Sequence, residues 1–189
     1  MQKSTPTGLT LALVTVLGSL TSGCIIDARG SAQSPPPTPT AAAPTVARLD
    51  PRGFIQLPKP VEFETGSDRL RPSSDEVLKV VKVYLDVKKD LTLLRIEGHT
   101  DSDGRPDDNQ VLSEKRAMAV ARWLIAHGIA CDRLLPVGFG QSKPLADNAT
   151  EAGKAQNRRT SFVPAALKGR AIDGMPVDGG GKSAGNACR

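Results

Sequence analysis

The sequence predicts an α/β fold, a single β-α-β-α-β-(α)-β domain with helices packed on a small mixed sheet. Three observations lead there. Apolar residues recur at helical spacing in two stretches, short strand-like runs alternate with those stretches, and aromatic residues are scarce, with one Trp, one Tyr and four Phe. A core must then be built from Val, Leu, Ile and Ala, which suits a small layered structure. The chain of 189 residues has room for one ordinary domain, and its two ends look unable to join a core. The folded part is therefore placed at residues 53–163.

Within it, residues 61–64 read as a short strand. Ser73, with Glu76 three residues later, forms the pattern of a capping box that opens a helix reaching about residue 89. Val77, Val81, Tyr84, Leu85 and Lys88 fall at helical intervals and give that helix one apolar stripe with a basic edge. Residues 91–97 form the next strand, and the polar run 98–109 is a long loop. A second helix is predicted over about 110–127, with Leu112, Ala119, Val120, Trp123 and Leu124 available to the core and Gly128 as its stop. Residues 134–138 give a third strand, 150–156 a short helical turn and 159–163 a final strand. The alternation places helices on one side of a mixed sheet.

The ends carry a different kind of information. Lys3 and the α-amino group precede an apolar run over residues 9–20, too short for the roughly 20 apolar residues of a membrane span but suited to a secretory signal peptide over residues 1–23. Leu20, Thr21, Ser22, Gly23 and Cys24 resemble the lipobox of bacterial lipoproteins, with the aliphatic residue one step further from the cysteine than is usual. That resemblance implies an acylated Cys24 as the mature amino terminus. Ile25, where an Asp would favour inner-membrane retention, implies the outer membrane. Residues 24–52 form a tether interrupted by Pro35, Pro36, Pro37, Pro39 and Pro44, extended at about 3.1 Å per residue. Residues 164–189 form a Gly-rich tail, read as mostly irregular.

Charge and cysteines bound the function further. The formal net charge is +5, yet residues 52–163 hold eighteen Lys and Arg against sixteen Asp and Glu, so the domain has no basic concentration of the kind that displaces counterions from nucleic acid. With Cys24 lipidated, Cys131 and Cys188 remain in an oxidising compartment. A disulfide between them and two separate thiols are both compatible with the sequence, which gives no distance.

The informative stretch is Gly98-His99-Thr100-Asp101, Asn109 eight residues past that Asp, Leu112-Ser113, Arg116 fifteen past it, and a late Asn157-Arg158-Arg159. Together these resemble the OmpA-like C-terminal domain family, which includes the peptidoglycan-associated lipoproteins and the cell-wall anchors of motor stators. The resemblance covers roughly residues 61–163. It implies non-covalent binding of the diaminopimelate of the peptidoglycan stem peptide. Asp101 would take its side-chain ammonium and Arg116 its carboxylate, with Thr100, Asn109, Arg158 and Arg159 as further ligand-binding candidates. An ordinary structural ion pair between Asp101 and Arg116 is the competing reading. Physically, Asp101 lies just past the carboxyl end of a strand, where α/β sheets open their ligand crevices, and Arg116 lies about two turns into the helix that follows. The start of that helix near Asn109 would add backbone N–H donors for an anionic group.

The resulting expectation is an outer-membrane lipoprotein with its domain in the periplasm, linking membrane to wall; the alternative is an envelope adaptor that mainly binds another protein, as Pal-like proteins do in the Tol system. No enzyme, cofactor or metal is expected. Asp101, Asp103, Asp107 and Asp108 crowd one loop, but an EF-hand needs Gly and Glu where Pro106 and Leu112 stand. Gly181-Lys182-Ser183 ends like a P-loop, yet Pro176 occupies the place of the first Gly.

Overall fold

The computed structural model describes residues 47–51, 53–174 and 176–189. The expected signal peptide, Cys24 and all but the end of the expected tether lie outside the described residues. A short antiparallel pair, β1 (Arg48–Leu49) and β2 (Ile55–Gln56), precedes α1 (Ser74–Val87), β3 (Leu91–His99), α2 (Pro106–Ala126), β4 (Leu134–Gly140), α3 (Glu151–Asn157) and β5 (Thr160–Leu167). Two more two-residue strands follow, β6 (Arg170–Ala171) and β7 (Lys182–Ser183). The main sheet runs β6-β5-β3-β4-β7, with β3 and β4 parallel and the remaining pairs antiparallel. It is the predicted mixed sheet, and α2 is the crossover that parallel neighbours require.

Alternation along β3 divides its side chains between two faces. Leu94 and Ile96 enter the main core with Phe162 of β5, Val77, Leu78, Val81 and Leu85 of α1, and Val120, Ala121 and Leu124 of α2. α2 lies tight against β3 and β4 because both strands carry glycine beneath it. A Cβ on Gly98 would sit 2.2 Å from the Ser113 carbonyl oxygen, and one on Gly138 would sit 2.6 Å from Ser113 Oγ. Ser113 is fully buried at that contact, accepting from the Gly140 N–H at 2.9 Å and donating to the Gln110 carbonyl at 2.7 Å.

Several expectations are corrected. α2 starts at Pro106 rather than near residue 110, because Pro106 has the pre-set φ and the missing N–H suited to a first helical position. Its stop is as expected: Gly128 adopts φ +93°, the left-handed conformation that suits glycine. The capping box of α1 does not form. Ser73 Oγ donates to the Glu62 carboxylate, while the buried Ser74 Oγ accepts from the Glu62 N–H at 2.8 Å and donates to the Glu62 carbonyl at 2.9 Å. Residues 61–64 make only an isolated bridge, Phe63 to Leu70, outside the main sheet, because the chain turns back through Gly66 at φ +65°. Arg48 and Leu49, expected in the tether, pair with β2.

The irregular tail is the largest correction. β5 continues to Leu167, β7 pairs with the free edge of β4, and Cys188 is bonded to Cys131 with Cα atoms 5.1 Å apart. The intervening chain crosses the second face of the sheet. There Arg95 Nη1 donates to the Val177 carbonyl at 2.9 Å and Lys143 Nζ to the Gly179 carbonyl at 2.8 Å. The glycines permit close approach, since a Cβ on Gly181 would lie 2.3 Å from Val137 Cγ1. Gly179 and Gly181 thus lie against sheet residues, while Gly169, Gly174 and Gly180 adopt the positive φ of turns.

Candidate ligand-binding site

The loop between β3 and α2 leaves the sheet at its carboxyl end, where the chain after β4 and α3 also lie. Three side chains fix the backbone there. Asn109 Nδ2 donates to the carbonyls of Asp101 at 3.2 Å and Asp103 at 2.9 Å, and to Gln141 Oε1 at 3.0 Å. Thr100 is buried, its N–H bonded to the Gly140 carbonyl at 2.9 Å and its hydroxyl to the Asp101 carbonyl at 2.9 Å. Asn157, fully buried at the end of α3, accepts from the Leu145 and Ala146 N–H groups at 2.7 and 3.0 Å and donates to the Ala146 carbonyl at 2.8 Å. Asn157 thereby sets the direction in which the next residues leave the helix.

Asp101, held on this frame, is buried and salt-bridged to Arg158, with Oδ2 2.6 Å from Nη1. Its Oδ1 accepts the Asp103 N–H at 3.2 Å. The guanidinium partner of Asp101 is thus Arg158, contrary to the simple pairing with Arg116. Arg116 stands nearly three turns into α2, because that helix begins early. Its Nε donates to the Ser67 carbonyl at 2.9 Å, and its guanidinium lies 5.0 Å from the centre of the Phe63 ring. Burial lowers its pKa, while the charge of Asp101 acts in the opposite sense. A guanidinium remains charged through such a shift.

Arg116 and Arg158 line one cavity of about 310 Å³ together with Arg71, Ala155 and the turn from Pro60 to Gly66. Asp101 reaches it through Arg158. Arg159 goes elsewhere: it donates to the Lys143 carbonyl at 3.1 Å and lines a second cavity with Phe54, Leu57 and Leu145. Thr100 and Asn109 have their side chains engaged with the loop. The Asn109 N–H is also taken, by the Arg105 carbonyl at 3.0 Å, so the helix-start donors expected near that residue are not there. Of the six predicted residues, the structure thus brings together Asp101, Arg116 and Arg158, sets Thr100 and Asn109 behind them, and turns Arg159 away.

Sequence reasoning missed Phe63 and Ser67, which hold Arg116 from a segment about fifty residues earlier. It also missed the positioning role of Asn157, although that residue stood inside the Asn-Arg-Arg motif. His99 is fully buried and stacked on Phe139 at 5.2 Å, with Nε2 3.2 Å from Glu97. Among the described residues no group of three or more His, Cys, Asp or Glu could hold a metal ion, and no helix is long and apolar enough to cross a membrane.

Comparison with known proteins agrees with this architecture. The outer-membrane lipoprotein YfiB of Pseudomonas aeruginosa is 36% identical over 140 residues, covering 69% of this chain and 82% of that protein. The peptidoglycan-binding protein ArfA of Mycobacterium tuberculosis is 37% identical over 128 residues, covering 68% of this chain and 39% of that protein. The crystal structure of the peptidoglycan-associated lipoprotein from Burkholderia pseudomallei superposes with a TM-score of 0.51 at 33% identity, covering 56% of this chain and 89% of that one. The OmpA family profile matches residues 62–158, the span that holds the loop, α2, Asn157 and Arg158, and the chain belongs to the OmpA family.

Proposed function

We propose that this domain binds peptidoglycan without covalent chemistry, taking the zwitterionic end of diaminopimelate in the cavity between Arg116 and Arg158. The observation that carries the reading is that the guanidinium groups of Arg116, from α2, and Arg158, between α3 and β5, line one cavity, with the buried Asp101 carboxylate paired to Arg158. The ligand carboxylate is received by Arg116, whose Nε is occupied by Ser67 and whose remaining N–H groups are available for a charge-assisted pair. The ammonium is received by Asp101. A carboxylate offers more acceptor sites than the two bonds it makes here, so Asp101 can hold Arg158 and the ammonium together. The domain acts by binding alone.

Cys24, lipidated after removal of residues 1–23, anchors the protein in the outer membrane, and the proline-rich segment that follows gives the domain reach into the periplasm. Confinement near a wall that repeats its ligand makes modest single-site affinity sufficient. The identity of YfiB, ArfA and the peptidoglycan-associated lipoprotein supports this reading.

Sedimentation with purified sacculi tests it. Wild type is expected in the pellet and Asp101→Ala in the supernatant. Equal retention of both, with unchanged circular dichroism, would remove the cavity from the mechanism and favour the adaptor alternative. The anchor is tested separately by fractionating Cys24→Ser, which is expected to leave the outer-membrane fraction.

A further inference from the structure

Resting on the peptidoglycan reading, we infer that the cavity takes two carboxylates, and that Arg71 reads the second. Arg71 lines the same opening as Arg116 and Arg158. Its backbone is pinned: the N–H donates to the Glu62 carbonyl at 3.0 Å and the carbonyl accepts from the Ser74 N–H at 2.9 Å. Its Nε donates to the Phe63 carbonyl at 3.1 Å. Arg116 is held in the same manner, by Nε to the Ser67 carbonyl, so the turn from Phe63 to Ser67 grips two guanidinium groups by their inner nitrogens. That grip leaves the forked outer N–H groups of each for a planar anion.

The nearby protein carboxylates do not fill these forks. Asp101 is engaged by Arg158, Glu62 accepts from the Ser73 hydroxyl, and Asp68, whose charge also acts on Arg116, forms no ion pair with it. Glu64 faces Arg69 at 3.7 Å. Among the described residues neither Arg71 nor Arg116 has a carboxylate within ion-pair distance. The diaminopimelate side-chain end supplies one carboxylate, which Arg116 takes. A second guanidinium lining the same cavity calls for a second carboxylate on the ligand, and stem peptides carry one on the peptide chain itself, which in some walls is a neutral carboxamide. The cavity therefore selects the peptide in which that group is ionised. Arg71 is a specificity-determining residue in this account, separate from the Asp101–Arg116 reading of the zwitterion.

The test is isothermal titration of the soluble domain, wild type and Arg71→Gln, with two synthetic stem peptides. Both keep the free diaminopimelate side-chain end; in one the main-chain carboxylate is ionised and in the other it is a carboxamide. Wild type is expected to prefer the ionised peptide by about tenfold, the value of one charge-assisted bond. Arg71→Gln should lose that preference by weakening only for the ionised peptide. Equal weakening toward both peptides would mean that Arg71 merely holds the turn, and an absence of preference in wild type would also overturn the inference. Failure of wild type to bind either peptide would instead refute the peptidoglycan reading beneath it, and the inference with it.

Discussion

Replacement of Arg116 by Ala separates the binding role of the cavity from its structural one. In the folded domain Arg116 makes one hydrogen bond to the Ser67 carbonyl and one cation–π contact with Phe63. The first is worth about 0.5–1.5 kcal/mol net and the second about 0.5–1 kcal/mol at a half-exposed site, so stability should fall by roughly 1–2 kcal/mol. No stranded charge adds to this, because Asp101 keeps Arg158 at 2.6 Å. Toward ligand, the lost charge-assisted pair should cost about 1.5–3 kcal/mol, or about 10- to 150-fold in affinity. Arg159→Ala provides the contrast: its guanidinium lines the other cavity, and sacculus affinity should change by less than about twofold, as for a substitution outside a contact. The assay is sedimentation with sacculi over a concentration series, with urea unfolding of each variant to establish its fold. An Arg116→Ala domain that unfolds cooperatively and sediments like wild type would refute the reasoning, as would an Arg159→Ala domain that loses binding to the same degree.

Three further outcomes are expected. Protein purified from the periplasm should show no free thiol under denaturing, non-reducing conditions, and Cys188→Ala should lower stability by up to about 4 kcal/mol, since the bond closes a loop with a sequence separation of 57; stoichiometric thiol labelling would contradict the pairing. Gly98→Ala should destabilise by about 3 kcal/mol or more in urea, because the new Cβ meets backbone of α2 at 2.2 Å and no rotamer relieves it; a cost under about 0.5 kcal/mol, typical of surface sites, would show that α2 is free to shift. Stability should also fall on acidification below about pH 6.5. Burial holds His99 below its ordinary pKa, so the unfolded chain takes up a proton first and is favoured as pH drops. Glu97, held low by the His99 hydrogen bond and the Arg95 charge against the effect of burial, adds its loss only as pH falls through the carboxylate range. Urea midpoints at pH 7.5 and 5.5 check this, and His99→Gln should show the smaller difference between the two.

Much of the fold was legible because it is dictated locally. The valine and leucine spacing of α1, the run from Leu91 and the stop at Gly128 each need only a few consecutive residues to be read. The early start of α2 was equally local: Pro106 followed by Asp107 and Asp108 is a helix opening, obscured by the polarity of the loop around it. Ser73 and Glu76 show the converse error. Their spacing fits a capping box, but Glu62, remote in sequence, offers Ser73 a carboxylate, and its backbone donates to and accepts from the Ser74 hydroxyl.

The site divides along the same line. The resemblance of the motifs to one family selected Asp101, Arg116 and the Asn157-Arg158-Arg159 group, and spacing added that a strand end, a loop and a helix place Asp101 and Arg116 within reach of one another. Which guanidinium meets Asp101 was decided only by tertiary structure. The buried side chain of Asn157 fixes how the chain leaves α3, sending Arg158 to Asp101 and Arg159 to the opposite cavity. Folding likewise brought Phe63 and Ser67 to Arg116, and the Gly-rich end of the chain to the edge of β4 under the bond from Cys188 to Cys131. These contacts join residues far apart in sequence. Spacing along a chain specifies what lies within a few turns, whereas distances across a packed core depend on every intervening element taking its place.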